Sequence, residues 1–381
     1  MVNIRKNILV NSKFSNYLYD MPQDVVQLEE TPVLIINRKI IREKYEQLCN
    51  ELRNAGIFYA VKANPHEDII QYLEKCGAGF EIASNGELEL LIGLKIPPHR
   101  IISSNPTKDE NFIKRAFAYG VRVFVFDSRE EIEKLARYAP GSKVYIRLSV
   151  SNDGSEWPLR GKYGVEVEIA VDLLLEAKKR GLDPFGITFH VGSQCTNPAA
   201  WVKAIRKSGI LWNLAMTNGV EVLSLNIGGG FPIAYTRPVP TIKEVAGTIK
   251  DTIKEVFPRG IKVIVEPGRM IVGEAGLLVA TVISKAIRDG QKWLYLDVGV
   301  FNGLMETIGG IEYPFTVSKK GSLSKFVLAG PSCDGFDVIS EEVELPEPEI
   351  GDKIYINSAG AYTTAYASHF CGFPEPKTIV T

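Results

Sequence analysis

IFYAVKAN, residues 57–64, is a largely apolar run of strand-forming residues that carries Lys62 near its end and breaks at Pro65. Aromatic and β-branched side chains suit pleated backbone, and a run with little polar alternation marks a strand buried on both faces, as in a parallel sheet. Seven comparable runs follow: GFEIAS (79–84), RIISSN (100–105), VFVFD (123–127), KVYIRL (143–148), GITFHVG (186–192), LSLNIGGG (223–230) and KVIVEPG (262–268). Between them NGELELLIGLKI (85–96), SREEIEKLARYA (128–139) and VDLLLEAKKRG (171–181) repeat apolar residues at helical spacing. Eight strands alternating with helices predict an α/β chain closed as a (β/α)8 TIM barrel.

Past Met270 the pattern changes to short strands with turn residues between them, such as KWLYLDVG (292–299), SKFVLAG (324–330) and DKIYINS (352–358). These predict a C-terminal β-sandwich or β-barrel domain. The expected division is a barrel over residues 31–270, with 1–30 and 271–381 forming the β-domain. The N-terminal segment would then add a strand to it.

A chain of 381 residues with a net charge of −1 and a pI near 6.5 has no electrostatic footprint for nucleic acid or an anionic membrane. Small molecules or further subunits are the expected partners. The first twenty residues contain neither a signal-peptide core nor a membrane-spanning run, which predicts a cytoplasmic protein. Five cysteines with no CxxC spacing point to neither a disulfide framework nor a zinc site, and no metal is expected.

Active sites of TIM barrels lie at the C-terminal ends of the strands, so those ends hold the candidates. Lys62 sits at one, where a charge facing a barrel mouth needs compensation. A lysine of lowered pKa forms Schiff bases with a carbonyl cofactor, and an ion pair with Glu81 or Asp127 is the plainer explanation. Gly228, Gly229 and Gly230 present bare backbone N–H groups to an anion, although such tracts are often only turns. EPGR (266–269) follows at the next strand end, where Gly268 permits the turn and Arg269 adds charge beside a phosphate. Glu266 could accept a hydrogen bond from a protonated pyridine nitrogen, or be a surface acid before a turn. His190 could stack on a flat cofactor or be a core histidine bonded to backbone, and Ser193 offers a hydroxyl to a phosphate or a helix cap. Cys333 and Asp334 in GPSCDGFDVI (330–339), and Tyr362, read on their own as turn and core residues.

Six motifs in order, FYAVKANP, FHVGSQ, NIGGGFP, EPGR, CDGFD and GAYTTAYASHFCGFP, resemble the fold-type III decarboxylases dependent on pyridoxal 5'-phosphate (PLP), over nearly the whole chain. That family includes ornithine, lysine, arginine and diaminopimelate decarboxylases. The resemblance implies that Lys62 holds PLP as a Schiff base, His190 stacks on its ring and Glu266 pairs with its ring nitrogen. Ser193, Gly228 to Gly230, Arg269 and Tyr362 would hold the phosphate, with Glu81 and Arg147 lining the cofactor site. It also implies an obligate homodimer, in which Cys333 protonates the product carbanion and Asp334 meets the distal amine of the substrate in the partner's site.

CDGFD and Glu306 point to the ornithine and lysine branch, because diaminopimelate enzymes resemble a Cys-Glu-Ser pattern and carry an arginine near position 306. The implied reaction is decarboxylation of ornithine or lysine to putrescine or cadaverine. Diaminopimelate decarboxylation is the alternative, and a non-catalytic regulatory homologue of the antizyme-inhibitor kind ranks below it. A PLP racemase would be expected to carry Arg in place of Glu266. Two departures stand out: Glu81 replaces the usual Asp, and Cys371 occupies the place of Asn in the animal enzymes.

Overall fold

The computed structural model describes residues 30–159 and 161–381, so the strand expected before Thr31 lies outside the described residues. Its strands are, in order, β1 (Val33–Ile36), β2 (Ala55–Ala60), β3 (Gly79–Ile82), β4 (Ile101–Ser103), β5 (Val123–Phe126), β6 (Lys143–Arg147), β7 (Ser155–Trp157), β8 (Asp183–Thr188), β9 (Ser193–Cys195), β10 (Ser224–Asn226) and β11 (Lys262–Val265). These are followed by β12 (Gly276–Arg288), β13 (Gln291–Leu296), β14 (Phe315–Val317), β15 (Leu323–Ala329), β16 (Val338–Pro346), β17 (Lys353–Asn357) and β18 (Lys377–Val380).

The chain divides into two compact units. One runs over Arg42–Pro232 and Val239–Ile271 and contains a closed barrel of parallel strands in the order β2-β3-β4-β5-β6-β8-β10-β11. All eight expected strands are present. Each ends one to four residues before the apolar run does, because the last residues turn out of the ladder into the loops. The core is aromatic: Tyr59, Phe80, Phe124, Phe126 and Tyr145 are fully buried. Gly186 makes room for one of these rings, since a Cβ there would fall 2.2 Å from the Tyr145 side chain. β7 and β9, short and polar, pair antiparallel outside the barrel ladder and carry no signal in the alternation pattern.

Loop residues start the outer helices. Ser84, Asp109 and Ser128 each accept a backbone N–H from the first turn of the helix they precede, and Thr241 forms a capping box with Glu244. Ser84, a strand-end residue, is thereby occupied as a cap.

The other unit holds the described residues up to Ile41, Ile233–Pro238 and Val272–Thr381. Residues 31–41 and 233–238, expected with the barrel, therefore fold with the β-sheet unit. β1 joins it by pairing antiparallel with β12 and parallel with β18, since Val33, Leu34, Ile35 and Ile36 are all buried by that pairing. The mixed sheet runs β14-β17-β12-β13-β15-β16, with β1 beside β12 and β18 beside β1. β12 is 13 residues long, in contrast to the short strands expected there. Its first half lies between β1 and β17, and after a register shift at Val282/Ser284 its second half pairs with β13. Such a bend lets one strand serve two faces of a sandwich. Among the described residues no helix is long and apolar enough to cross a membrane.

Candidate active site

Lys62 lies just beyond β2, in the 3-10 turn Val61–Ala63. The turn is fixed from two sides: Ala60 N donates to Pro267 O at 3.0 Å, and a Cβ on Gly268 would fall 2.7 Å from that of Ala63. Gly268 is thus what lets the lysine turn approach the EPGR turn. Lys62 Nζ donates to Glu81 Oε2 at 2.7 Å; the lysine side chain is 47% exposed and that of Glu81 only 2%. A buried carboxylate therefore anchors an amine that solutes can reach. Glu87 stands behind this pair, accepting from Ala83 N at 2.5 Å, and burial together with the charge of Glu81 pushes its carboxyl up to about 6.

Glu266, the first residue after β11, is buried. Its Oε1 accepts from Asn226 Nδ2 at 2.5 Å and from the Ser104 hydroxyl. Burial raises its pKa, as does Glu81, while those two hydrogen bonds and the charge of Lys62 act to keep it ionised. Arg147, the last residue of β6, supplies the matching cation, within electrostatic range of Glu266, Asp127 and Glu81. Desolvation lowers its pKa, but a guanidinium stays charged in proteins.

His190 sits two residues past β8 and is held by its own loop. Gly192 N donates to His190 Nδ1 at 3.0 Å, which leaves the ring proton on Nε2. Asn152 Nδ2 donates to His190 O at 3.1 Å while its Oδ1 accepts from Leu159 N at 2.6 Å, tying the 152–159 loop to the histidine. Burial, then the charges of Arg147 and Lys62, hold the imidazole well below its usual 6.5. It is a neutral, flat aromatic face at pH 7.

This depression has a sign that can be tested. Below about pH 6.5 the unfolded chain binds a proton at His190 that the folded protein refuses, so stability falls as pH falls, by up to about 1.4 kcal/mol per pH unit. Glu266, with its raised pKa, acts in the opposite sense at lower pH. Chemical denaturation between pH 7 and 5 should therefore show a shallower loss for His190→Asn than for the wild type, and equal slopes would refute a buried neutral histidine.

The glycine tract closes the group. Gly228 and Gly230 have φ of +66° and +91°, and a Cβ on Gly228, Gly229 or Gly230 would lie 2.5, 2.5 or 2.4 Å from the carbonyls of Phe189, Glu266 or Gly192. Side chains at the first two would also crowd the His190 ring, at 3.3 Å in both cases. Only glycine fits where three loop backbones meet this closely. Arg269 Nη2 donates to Ser193 Oγ at 3.1 Å, and the Arg269 side chain is buried. Ser193 lies in β9 and caps no helix.

The barrel unit therefore brings together Lys62, Glu81, Arg147, His190, Ser193, the glycines, Glu266 and Arg269. The donor set fits PLP: an accessible amine for the carbonyl, a buried carboxylate for the ring nitrogen, a neutral aromatic face, and a glycine cradle with a guanidinium and a hydroxyl for the phosphate. Ser104, Asn226 and Asn152 escaped the sequence reading as individual residues. Ser104 and Asn226 lay within quoted strand ends, but nothing local told that they converge on Glu266.

Tyr362, Cys333, Asp334 and Glu306 belong to the other unit. Tyr362 adopts a left-handed φ of +64° and packs on Tyr366, ring centroids 5.7 Å apart. Cys333 is exposed in the β15–β16 turn. Asp334 Oδ1 accepts from Phe336 N at 2.8 Å, as a turn residue does. Glu306 is buried in the 3-10 turn Met305–Gly309.

Residues 38–273 match the family model described as pyridoxal-dependent decarboxylase, pyridoxal binding domain. A lysine/ornithine decarboxylase of Selenomonas ruminantium is 38% identical over 354 residues, covering 92% of this chain and 89% of the relative. Antizyme inhibitor 2 of Xenopus laevis is 34% identical over 351 residues, covering 87% and 77%. The crystal structure of a lysine/ornithine decarboxylase from Vibrio vulnificus complexed with cadaverine superposes with a TM-score of 0.90 at 34% identity, over 98% of this chain and 100% of that one.

Proposed function

The chain belongs to the pyridoxal-dependent decarboxylases, close to the lysine/ornithine decarboxylases, and from that premise we propose that it converts ornithine or lysine to putrescine or cadaverine with PLP. The observation that carries the reaction type is the buried Glu266 carboxylate, braced by Asn226 and Ser104 at the strand end that faces Lys62. A carboxylate opposite the ring nitrogen keeps a proton on that nitrogen, which suits loss of CO2.

PLP supplies the electron sink that accepts the bonding pair of the departing carboxylate. The residues of this chain do the rest. Lys62 would hold the cofactor carbonyl, with Glu81 orienting Nζ. His190 presents its neutral face to the ring. Gly228, Gly229, Gly230, Ser193 and Arg269 would hold the phosphate, with Gly268 permitting the turn that carries Arg269. Glu266 would hold the proton at the ring nitrogen, and Arg147 favours the ionised form of Glu266 against its burial.

Cys333 returns a proton to the Cα carbon, and Asp334 and Glu306 receive the cationic tail of the substrate. Carboxylates there would repel diaminopimelate, whose tail is anionic at one oxygen pair. The working enzyme is a homodimer in the cytoplasm, with Cys333 and Asp334 of each copy serving the site of the other. Sedimentation at micromolar concentration should give twice the mass of the chain, and a monomer with full turnover would remove the shared-site reading.

The direct test is product analysis by mass spectrometry after separate incubation with L-ornithine, L-lysine, L-arginine and meso-diaminopimelate. Putrescine or cadaverine is expected. The two substrates differ by one methylene, about 1–3 kcal/mol of discrimination, so both should react with unequal kcat/KM. Lysine formed from diaminopimelate alone would overturn the assignment of Asp334 and Glu306. No product from any substrate would favour the regulatory relatives, against which the presence of both Lys62 and Cys333 speaks.

A further inference from the structure

Lys108 carries a charge that the reaction as described does not use, and its side chain is wholly shielded from solvent. Nζ donates to three backbone carbonyls, Asn105 O at 2.9 Å, Pro106 O at 3.2 Å and Val125 O at 2.6 Å, so each of its three N–H bonds has an acceptor. Glu131, buried on the helix Arg129–Tyr138, supplies the counter-charge at 2.9 Å, and its other oxygen meets Lys134 Nζ at 2.6 Å. Lys134 in turn donates to Lys108 O. Burial pulls Lys108 down to about 8, against the pull of Glu131, which leaves it charged at pH 7.

Stability alone is a poor account of such a group, because apolar side chains often replace a buried ion pair without loss. What the lysine fixes is geometry. Two of its acceptors, Asn105 and Pro106, directly follow Ser104, whose hydroxyl donates to Glu266. The third, Val125, lies on β5. A tie is needed there, because β4 and β5 pair at one position, Ser103 opposite Phe124, whereas every other neighbouring pair of the barrel shares three or more. On the side of β3, Asn105 Nδ2 makes a longer contact with Ala83 O, at 3.4 Å. The segment after β4 is thus held to β5 chiefly by a side chain and not by the ladder.

We propose that Lys108 is a positioning residue for decarboxylation: by binding residues 105 and 106 to β5, it holds the Ser104 hydroxyl on Glu266 and so keeps that carboxylate aimed at the cofactor ring. A hydroxyl bonded to a carboxylate favours its charged form, and a swing of the segment would remove that donor. The effect on turnover rests on the reading of Glu266 as the partner of the ring nitrogen; the hold on residues 104–109 does not.

The holoenzyme is compared with Lys108→Met, Ser104→Ala and the double variant by amide hydrogen exchange in peptides covering residues 101–109, and by steady-state kinetics with ornithine and lysine. Met keeps about the length of the side chain and loses every donor. Lys108→Met should speed exchange in those peptides at least about tenfold while the other barrel strands keep their protection. It should lower kcat about tenfold with KM within about twofold, since Glu266 acts on the chemical step. Ser104→Ala should lower kcat by a similar factor with little change in exchange. The double variant should fall within about twofold of Lys108→Met, because both substitutions remove the same link. Should Lys108→Met not fold, Glu131→Gln takes its place in the same comparison, with effects in the same direction of about threefold, since it removes only the counter-charge.

Unchanged exchange over residues 101–109 would overturn the hold. Unchanged kcat per folded molecule in Lys108→Met, or losses that multiply in the double variant, would overturn the positioning role if Ser104→Ala and Glu266→Gln are impaired. Wild-type kcat in both Ser104→Ala and Glu266→Gln would instead remove Glu266 from the chemistry and with it the effect of Lys108 on turnover, while the exchange result would still decide whether Lys108 holds the segment.

Discussion

Lys62→Ala is expected to lose the visible absorbance of lysine-linked PLP and to lower diamine formation by on the order of 10⁴-fold or more. The side chain is the accessible amine of the group, and its removal takes away both the attachment point and the counter-charge of Glu81, which is almost wholly buried. Arg147 remains within range of Glu81, so the fold should survive the loss. Lys62→Arg separates the two contributions. It can restore an ion pair with Glu81, yet a guanidinium does not form the covalent link, so stability should return without absorbance or turnover. A Lys62→Ala protein that keeps the band, with turnover within tenfold of wild type, would remove Lys62 from the chemistry.

Glu266→Gln should cost about 10²–10³-fold in kcat/KM while leaving the melting temperature unchanged or higher. The opposed directions follow from burial. Glu266 is a desolvated carboxylate that its hydrogen bonds and nearby cations only partly compensate, so a neutral isostere relieves a cost of folding. It also removes the charge proposed to keep the ring nitrogen protonated. Thermal melts and steady-state kinetics on the same preparation check both halves. A variant that melts much earlier but retains wild-type kcat/KM per folded molecule would make Glu266 a structural acid.

The barrel was legible because its signals are local. Runs such as VFVF and KVYIR are buried wherever they pair, and the serines and aspartates after the strands are positioned to start the next helix whatever the tertiary context. Lys62, His190, Glu266 and the glycine tract were visible for a related reason: costly or permissive residues at strand ends need an explanation before any neighbour is known. The misreadings occurred where local pattern is ambiguous. The expected barrel boundary lies at residue 31, but VLII would be buried in either unit, and only its pairing with β12 and β18 places it in the sheet. Short strands are expected beyond Met270, whereas β12 runs 13 residues because its two halves serve different partners.

From the residues alone, then, came the alternation that closes eight strands and the chemical types waiting at their ends. What only the tertiary structure decided is which of those groups meet. Ser104 and Glu266 are 162 positions apart yet share a hydrogen bond, and Arg147 faces three carboxylates from three other strand ends. Backbone conformation follows from short-range sterics and burial, which a run of ten residues already encodes. Convergence of distant side chains depends on register and closure, and those exist only once the whole sheet has formed.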